Sequence, residues 1–446
     1  MPSGPVLVLI GAGSTVFTPG LLHDLAASAA FVDAEIRLVD VVQDAAETMA
    51  ALGRRIAAAA GSRMRVVAEP DRRTALHGAR FVATTIAVGS AASWHDDLEI
   101  PAAHGVLQTV GDSVGPGGVL RALRHVPELL AIARDVADVA PTALLVNYSN
   151  PLTANVRAIT RETLVTAIGL CHGTMHTKHM LATALGVDPD RVTATFAGLN
   201  HLCWLLDLRT AEEDLYPRLR SRVEERAAGA DAPSSRTEDL EAAVSADLLR
   251  TFGLYPAPGD RHVAEFFGDY LRAVDGGELA WGLQGGLDRT REYIAEKGRL
   301  WDSLRAQAAG TVPLAAPRDQ EAERLVAIAA AVVTGATQVE LAVNLPNRGL
   351  VPQLPAGSVV EVPAVVSAAG ISGVAVTGLP PAVLAVLTAR ALQQELVVDA
   401  AVTGSRAVAL QAMVLDPLVP DSATATAILD DAVAADPARL GRFALA

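Results

Sequence analysis

A thiol and an imidazole stand at Cys171 and His201, within the segments Gly169-Leu170-Cys171-His172-Gly173 and Gly198-Leu199-Asn200-His201. Thiolate sulfur and imidazole nitrogen are both good ligands for a divalent transition metal. Near the amino terminus, Val6 to Ile10 runs straight into Gly11-Ala12-Gly13-Ser14-Thr15, a strand opening onto a phosphate-binding turn. A redox cofactor and a metal in one chain point to a hydroxyl-bearing substrate that is oxidised while the metal holds its oxygens. Two protein ligands fall short of the four that close a structural zinc site. An incomplete set makes sense where substrate oxygens supply the rest. Each residue also has a structural alternative: Cys171 as a small buried apolar side chain, His201 as a hydrogen-bonded core histidine. His172, His176 and His179 cluster behind Cys171, and the last two read as solvated helix positions.

The glycine turn is a partial match, because Val16 occupies the third glycine position. Asp40 strengthens it. It ends the second strand, where a carboxylate accepts from a ribose 2′-hydroxyl and repels a 2′-phosphate, favouring NAD over NADP. Gly11, Gly13, Ser14, Thr15 and Asp40 are therefore the cofactor candidates. Three more segments carry polar groups at suggestive places. Asn147-Tyr148-Ser149-Asn150-Pro151 is either a strand end with an Asx turn or an amide set that reads sugar hydroxyls. Gly111-Asp112-Ser113-Val114-Gly115-Pro116-Gly117-Gly118 reads as a loop whose glycines let the backbone approach a ligand. Gly259-Asp260-Arg261-His262-Val263-Ala264-Glu265-Phe266-Phe267 gathers acid, base and aromatics, with Asp260 as a helix cap the structural alternative.

The elements that must position these groups alternate strand and helix through the first two hundred or so residues. Apolar runs at Val6–Ile10, Glu35–Val39, Arg65–Ala68, Phe81–Ile86, Ala143–Asn147 and Val165–Gly169 predict parallel strands. Helices are expected at Thr18–Ala30, Ala45–Ala60 and Leu120–Val139. In such a doubly wound sheet ligands sit beyond the carboxyl ends of the strands, where Asp40, Gly89, Asn150 and Cys171 fall. The character changes near Ala197. A strand at Leu202–Leu208, an exposed helix–loop at Glu224–Asp239, a helix-rich stretch to Val343, strands over Gly357–Val376 and closing helices over Pro381–Ala434 follow. The 446 residues exceed what one core normally serves. Two domains are expected, 1–196 and 197–446, the first binding cofactor and the second substrate and metal.

A formal net charge of −14 argues against nucleic acid or an acidic membrane surface as partner, but not against a small anion met by a few local cations. The apolar stretch Val326–Thr337 is too short to span a bilayer, and the apolar start at Val6 lacks the basic flank of a signal peptide. Two cysteines cannot staple a chain this long, so a reduced, cytoplasmic setting is expected.

Taken together and in this order, the segments resemble glycoside hydrolase family 4, the NAD- and Mn-dependent glycosidases. Asn344-Leu345-Pro346-Asn347-Arg348-Gly349 adds a further match, so the resemblance runs over nearly the whole chain. It implies a Rossmann domain followed by a lactate/malate-dehydrogenase-like α+β domain, assembled as a homodimer or homotetramer. It implies Cys171 and His201 as ligands of Mn2+ or another divalent metal, and Asn150 and Asn200 as contacts to sugar hydroxyls. The implied chemistry is elimination: oxidation at C3, removal of the C2 proton, departure of the glycosidic oxygen, addition of water and return of the hydride. Asp260 matches the position of the base in members acting on α-glycosides; Asp112, or His172 through a water, is the candidate acid. Members acting on 6-phosphosugars carry an arginine where this chain has Ile86-Ala87-Val88-Gly89, so a phosphate dianion would be poorly held. The segment from Pro258 to Phe266 is most similar to the family's α-glucuronidases and α-galacturonidases, with Arg261 or His262 pairing a C6 carboxylate. The alternatives are an α-galactosidase or α-glucosidase on neutral sugars and, more remotely, an NAD-dependent 2-hydroxy-acid dehydrogenase.

Overall fold

The five residues Val6–Ile10 are all buried because a central parallel strand is covered on both faces. Leu7 and Leu9 point to one side, into a core shared with Leu22, Met49, Ile56 and Ile328. Val6, Val8 and Ile10 point to the other, against Leu129, Ile132 and Val136. The computed structural model describes residues 4–228, 243–274, 278–316 and 324–445. Among these the strands are β1 (Val6–Ile10), β2 (Glu35–Val39), β3 (Arg65–Ala68), β4 (Phe81–Thr84), β5 (Leu144–Asn147), β6 (Ala167–Gly169), β7 (Thr193–Leu199), β8 (Leu202–Arg209), β9 (Tyr255–Ala257), β10 (Gln338–Pro346), β11 (Val359–Ser367) and β12 (Gly370–Gly373). β3-β2-β1-β4-β5-β6 form the parallel, doubly wound part.

The sheet does not end there. A single antiparallel pairing, Gly169 with Asn344, joins β6 to β10, and the order continues through β11, β7, β8 and β9, with β12 on β11. One register row therefore crosses both halves: Thr84, Asn147, Gly169, Asn344, Glu361, Gly198, Cys203 and Ala257 are successive partners. The segments bearing Asn150, Cys171, Asn200-His201 and Asp260 each leave the sheet just after a member of this row.

Several expected elements shift. β4 stops at Thr84, β10 begins inside the stretch read as helix-rich, and the first helix is Phe17–Ala27 with a short 3-10 turn after it. The expected helix–loop after Glu224 starts as the helix Tyr216–Ala228, and its remainder lies outside the described residues. Gly115 to Gly118 are not loop but the first turn of the helix Gly115–Val139. Their missing side chains serve packing within the protein: a Cβ on Gly117 would lie 2.6 Å from the Asp97 carbonyl oxygen, and one on Gly118 2.5 Å from the Ser113 carbonyl carbon. Ala197 lies within β7. The closing helices return to the first half, where Val398, Ala401, Ile428 and Phe443 share a core with Leu123, Val126 and Ala158. Pro381–Thr403 is long and apolar enough to cross a membrane by length and composition; here it packs on the helices Gly115–Val139 and Leu152–Glu162. Arg324–Thr334, the short apolar helix, contributes Leu325, Ile328 and Ala329 to the first core.

Gly198 occupies the row at φ +159°, and a Cβ there would lie 2.4 Å from the Leu202 carbonyl oxygen. Backbone faces backbone at this point, so neither side can rotate away. Gly198→Ala is expected to destabilise the protein by about 1–3 kcal/mol, read as a lowered midpoint of denaturant unfolding. An unchanged midpoint would show that the β7–β8 turn relaxes freely.

Candidate active site

The glycine turn is shaped by β1, β2 and β4 together. Gly11 has φ +92°, and a Cβ on it would lie 2.8 Å from the Ile86 nitrogen, so only glycine fits. Its N–H and that of Ala12 donate to the Val39 carbonyl, at 2.9 and 3.1 Å. The Asp40 carboxylate accepts from Gly13 N–H at 2.7 Å and from Val42 N–H at 2.9 Å, which ties the turn to the end of β2. Ser14 Oγ accepts from Phe17 N–H at the start of the first helix. The hydroxyl of Thr15 is buried without a hydrogen-bond partner. A buried orphan hydroxyl beside a glycine turn and a helix N-terminus fits a phosphate-bearing ligand.

Asp112, His201 and His262 form a second centre, their ligand atoms all within 4.8 Å of one another. His201 sits in the two-residue turn between β7 and β8 with φ +64°, a strained conformation for a side-chain-bearing residue. Ser113 Oγ donates to Asp112 Oδ1 at 2.7 Å and lies 2.8 Å from His201 Nδ1. The hydroxyl has one proton, so His201 Nδ1–H must be the donor to it, and Nε2 keeps a bare lone pair. That is the ligating form of imidazole. Asn150 Nδ2 donates to Asp112 Oδ2 at 2.7 Å, and Arg121 Nε donates to the Asn150 carbonyl. Burial alone would raise the Asp112 carboxyl; His201, His262, Arg121 and the Ser113 hydroxyl instead hold it down to about 2. Burial pushes His201 and His262 down. The centre thus presents an ionised carboxylate and neutral imidazoles, the protonation states a divalent cation requires.

Among the described residues Cys171 stands outside that cluster. It follows β6, accepts from Gly173 N–H at 3.4 Å, and packs beside Leu152, Val156 and Val359. Burial, with Glu361 and Asp112 adding, pushes its thiol up to about 12. Cys171 nonetheless interacts with Asp112 and with Asn200, the neighbour of His201, so the expected Cys171–His201 pair stands beside an Asp112–His201–His262 cluster that the sequence reading did not assemble. His172 immediately precedes the helix Gly173–Ala184 and lies against the rings of Phe17 and Tyr148, linking the start of the first helix to the site.

Asp260 takes up the capping alternative, though not for its own helix. Its carboxylate accepts from Val244 N–H, Ser245 N–H and Ser245 Oγ, holding the start of the helix Ala243–Phe252. Burial raises its carboxyl. Arg261 and His262 line a cavity of about 1160 Å3, together with His172, Pro258 and Gly259. The His262 ring centroid lies 4.1 Å from that of His201. Arg261 Nε is buried with no partner, and burial, then Arg289, brings its guanidinium down to about 10. Arg289 is on the helix Gly286–Ala309, whose start is anchored by Gly286 N–H to the Gln108 carbonyl.

Two buried carboxylates carried no role in the sequence reading. Glu265 Oε1 accepts from the N–H groups of Thr109, Val110 and Gly111, and the Thr109 hydroxyl donates to the Arg261 carbonyl. Glu361 Oε2 accepts from Asn200 Nδ2 at 3.2 Å. Burial pushes both carboxyls up to about 7. Glu265 follows Arg261 by one helical turn, a spacing that could have flagged it; Glu361 has no such signal.

A raised carboxyl value means that the folded chain keeps a proton the unfolded chain has lost. Stability then falls as pH climbs from the ordinary carboxyl range to about 7, and stays level beyond. Glu265→Gln removes this contribution. The melting temperature of the variant relative to wild type should be more favourable at pH 8 than at pH 5. A pH-independent difference would mean that Glu265 is ionised throughout that range.

With this geometry in hand, comparison with known proteins is direct. Residues 6–187 match the model for "Family 4 glycosyl hydrolase", and residues 196–419 that for its C-terminal domain. An alpha-galactosidase of Bacillus subtilis (strain 168) is 30% identical over 92% of this chain and 92% of its own length. An alpha-galacturonidase of the same strain is 30% identical over 93% of each. A 6-phospho-alpha-glucosidase from gut microorganisms, solved with NAD and Mn2+, superposes with a TM-score of 0.83 at 20% identity, over 98% of this chain and 99% of that one. At 15% identity and a TM-score of 0.52, over 90% of this chain and 99% of the other, the fold extends to a malate dehydrogenase of Cryptosporidium parvum. Two family models that together span most of the chain, and relatives 30% identical over more than nine-tenths of it, agree: the chain belongs to family 4 of the glycosyl hydrolases.

Proposed function

We propose that this chain is an NAD- and divalent-metal-dependent α-glycosidase whose substrates are α-galacturonides or α-glucuronides. One observation carries the uronide reading: the Arg261 guanidinium lines the site cavity with a buried, unpartnered Nε and with Arg289 close by. Asp112 and Glu265 also act on Arg261, but its Nε makes no hydrogen bond, and with Arg289 adding a second positive charge this side of the cavity suits a carboxylate. His262, neutral and packed against His201, does not share that task. The turn after β4, Ile86 to Gly89, offers no guanidinium for a phosphate. The α-galacturonidase relative, 30% identical, supports the choice, and the equally similar α-galactosidase keeps a neutral hexoside as the alternative.

The glycine turn fits NAD through Gly11, Gly13, Ser14, Thr15 and Asp40. His201, with Asp112 and His262, fits Mn2+ or a similar cation, and Cys171 is the nearby thiol the family resemblance adds to that set. Bound there, NAD+ would supply a hydride acceptor for the sugar's C3 and the metal a Lewis acid for the adjoining oxygens.

The remaining work falls to the chain. Asn150 and Asn200 hold sugar hydroxyls. Asp260 takes the C2 proton: its three accepted bonds fix the carboxylate and leave one lone-pair site on Oδ2. Asp112, held down to about 2, has no proton to give in the neutral range. The donor to the departing glycosidic oxygen is therefore His172 at the cavity wall, acting directly or through a water. Residues 1–196 chiefly hold cofactor and 197–446 substrate and metal, although Asp112, Asn150 and Cys171 bring the first part into the substrate site. Two free thiols suit a reduced cytoplasm. Exposed Val339 and Val374 at the cavity suit self-association as a homodimer or homotetramer.

The chemistry is tested in D2O with p-nitrophenyl α-D-galacturonide, α-D-glucuronide and α-D-galactoside, each with NAD+, Mn2+ and reductant. Deuterium should appear at C2 of the released sugar; its absence would mean ordinary displacement. Specificity is tested on the same substrates. A charged hydrogen bond contributes roughly 1.5–3 kcal/mol, so Arg261→Ala and Arg289→Ala should each lower kcat/KM for the uronide about tenfold to a hundredfold. The galactoside should be nearly unaffected. Equal losses on acidic and neutral sugars, or a wild-type preference for the galactoside, would refute the uronide reading and leave the family untouched.

A further inference from the structure

Glu361 is 2% exposed, sits in the middle of the register row, and has no cation among its hydrogen-bond partners. Its neighbours in the row are Asn344 and Gly198, and its own carbonyl accepts from the Cys203 thiol. A buried carboxylate in such a place is costly, and an apolar side chain would pack more favourably. Its carboxylate is met by two side-chain amides, Asn344 beside it in the row and Asn200, which also touches Cys171 at the site. Asn200, also 2% exposed, directs Nδ2 to Glu361 Oε2 at 3.2 Å. The other end of that amide, Oδ1, is buried and has no hydrogen-bond partner.

An asparagine amide has two orientations of nearly identical shape and opposite chemistry. Nothing in the volume around it decides between them; hydrogen bonding does. We infer that Glu361 is a positioning residue: its accepting carboxylate fixes the Asn200 amide with nitrogen toward β11, so that the carbonyl oxygen is presented as an acceptor for a substrate hydroxyl. The inference rests on the reading of Asn200 as a sugar contact. It makes the contact directional, because an acceptor accepts a hydroxyl proton and leaves the hydroxyl oxygen free for other donors. Buried polar atoms are nearly always paired, and the sugar supplies the partner that Oδ1 lacks. While Glu361 is ionised, the second orientation would aim an N–H pair at the sugar and set two acceptors, Oδ1 and Oε2, against each other.

The test is a double-mutant cycle on binding, which does not need turnover. The affinity of the NAD+- and Mn2+-loaded protein for D-galacturonate is measured by calorimetry in wild type, Glu361→Gln, Glu361→Ala, Asn200→Ala and the two double variants. Glu361→Ala should weaken binding roughly tenfold to a hundredfold. Glu361→Gln, whose amide can accept or donate, should fall between it and wild type. In the Asn200→Ala background neither change should cost anything further. Equal losses in both backgrounds, or undiminished binding by Glu361→Ala, overturn the inference, because a residue needed only for folding lowers the melting temperature without changing affinity per folded site. Should Glu361→Ala not fold, the isosteric Glu361→Gln decides by the same criterion. If wild type cleaves the galactoside and not the uronides, the substrate reading has failed and the cycle is run with D-galactose. Asn200→Ala that binds both sugars normally overturns the inference while wild-type hydrolysis leaves the glycosidase reading standing.

Discussion

A carboxylate removed from water must be given donors, and the site of this enzyme is assembled around carboxylates that obtain theirs from distant parts of the chain. Glu265 draws three successive backbone N–H groups, Thr109 to Gly111, onto one oxygen. That contact brings the loop carrying Asp112 against the segment carrying Arg261 and His262. Asp112 takes its donors from Asn150, at the end of β5, and from Ser113, which in turn orders His201. Asp260 takes its donors from the start of another helix. Apart from that of Asp112 with its neighbour Ser113, each pairing closes a loop of the chain, and each would leave a buried polar group uncompensated if one side were lost. The cost of burying these charges unpaired is what holds the loops in register.

The sheet supplies the frame on which those pairings are possible. A parallel sheet by itself would end at β6 and present the cofactor turn, Asn150 and Cys171 along one line. The pairing of Gly169 with Asn344 extends it into an antiparallel part, and the β7–β8 turn then delivers His201 to the same place. Shared cores reinforce the join. The helices at the end of the chain pack on those of the first half, so the two parts cannot separate without exposing a common apolar surface. A cofactor turn in one part and a metal-type centre spanning both are held at a fixed spacing by that burial. A dehydrogenase frame is thereby turned to glycoside cleavage by side chains at its carboxyl edge, which is where function resides on such folds.

What the sequence alone determined is local. Strand periodicity, the glycine turn with its acidic partner, and the motif segments ending at strand termini are properties of neighbours in the chain, and they singled out the glycine turn and the segments carrying Asp112, Asn150, His201 and His262. His201 and Asp112 were legible because imidazole and carboxylate announce themselves by type. The pairings were not legible. Whether Gly115–Gly118 is a ligand loop or a helix start depends on Asp97 and Ser113, which press on it in space. Whether His262 meets a substrate carboxylate or stacks on His201, and whether Asp260 is a cap, depends on helices brought alongside only by folding. Arg289, Glu265 and Glu361 reveal themselves through burial and missing or distant partners, quantities that no spacing encodes. Local propensity acts over a few residues, whereas charge compensation in a core acts wherever the chain has folded back. The tertiary structure alone decided which acid serves which donor.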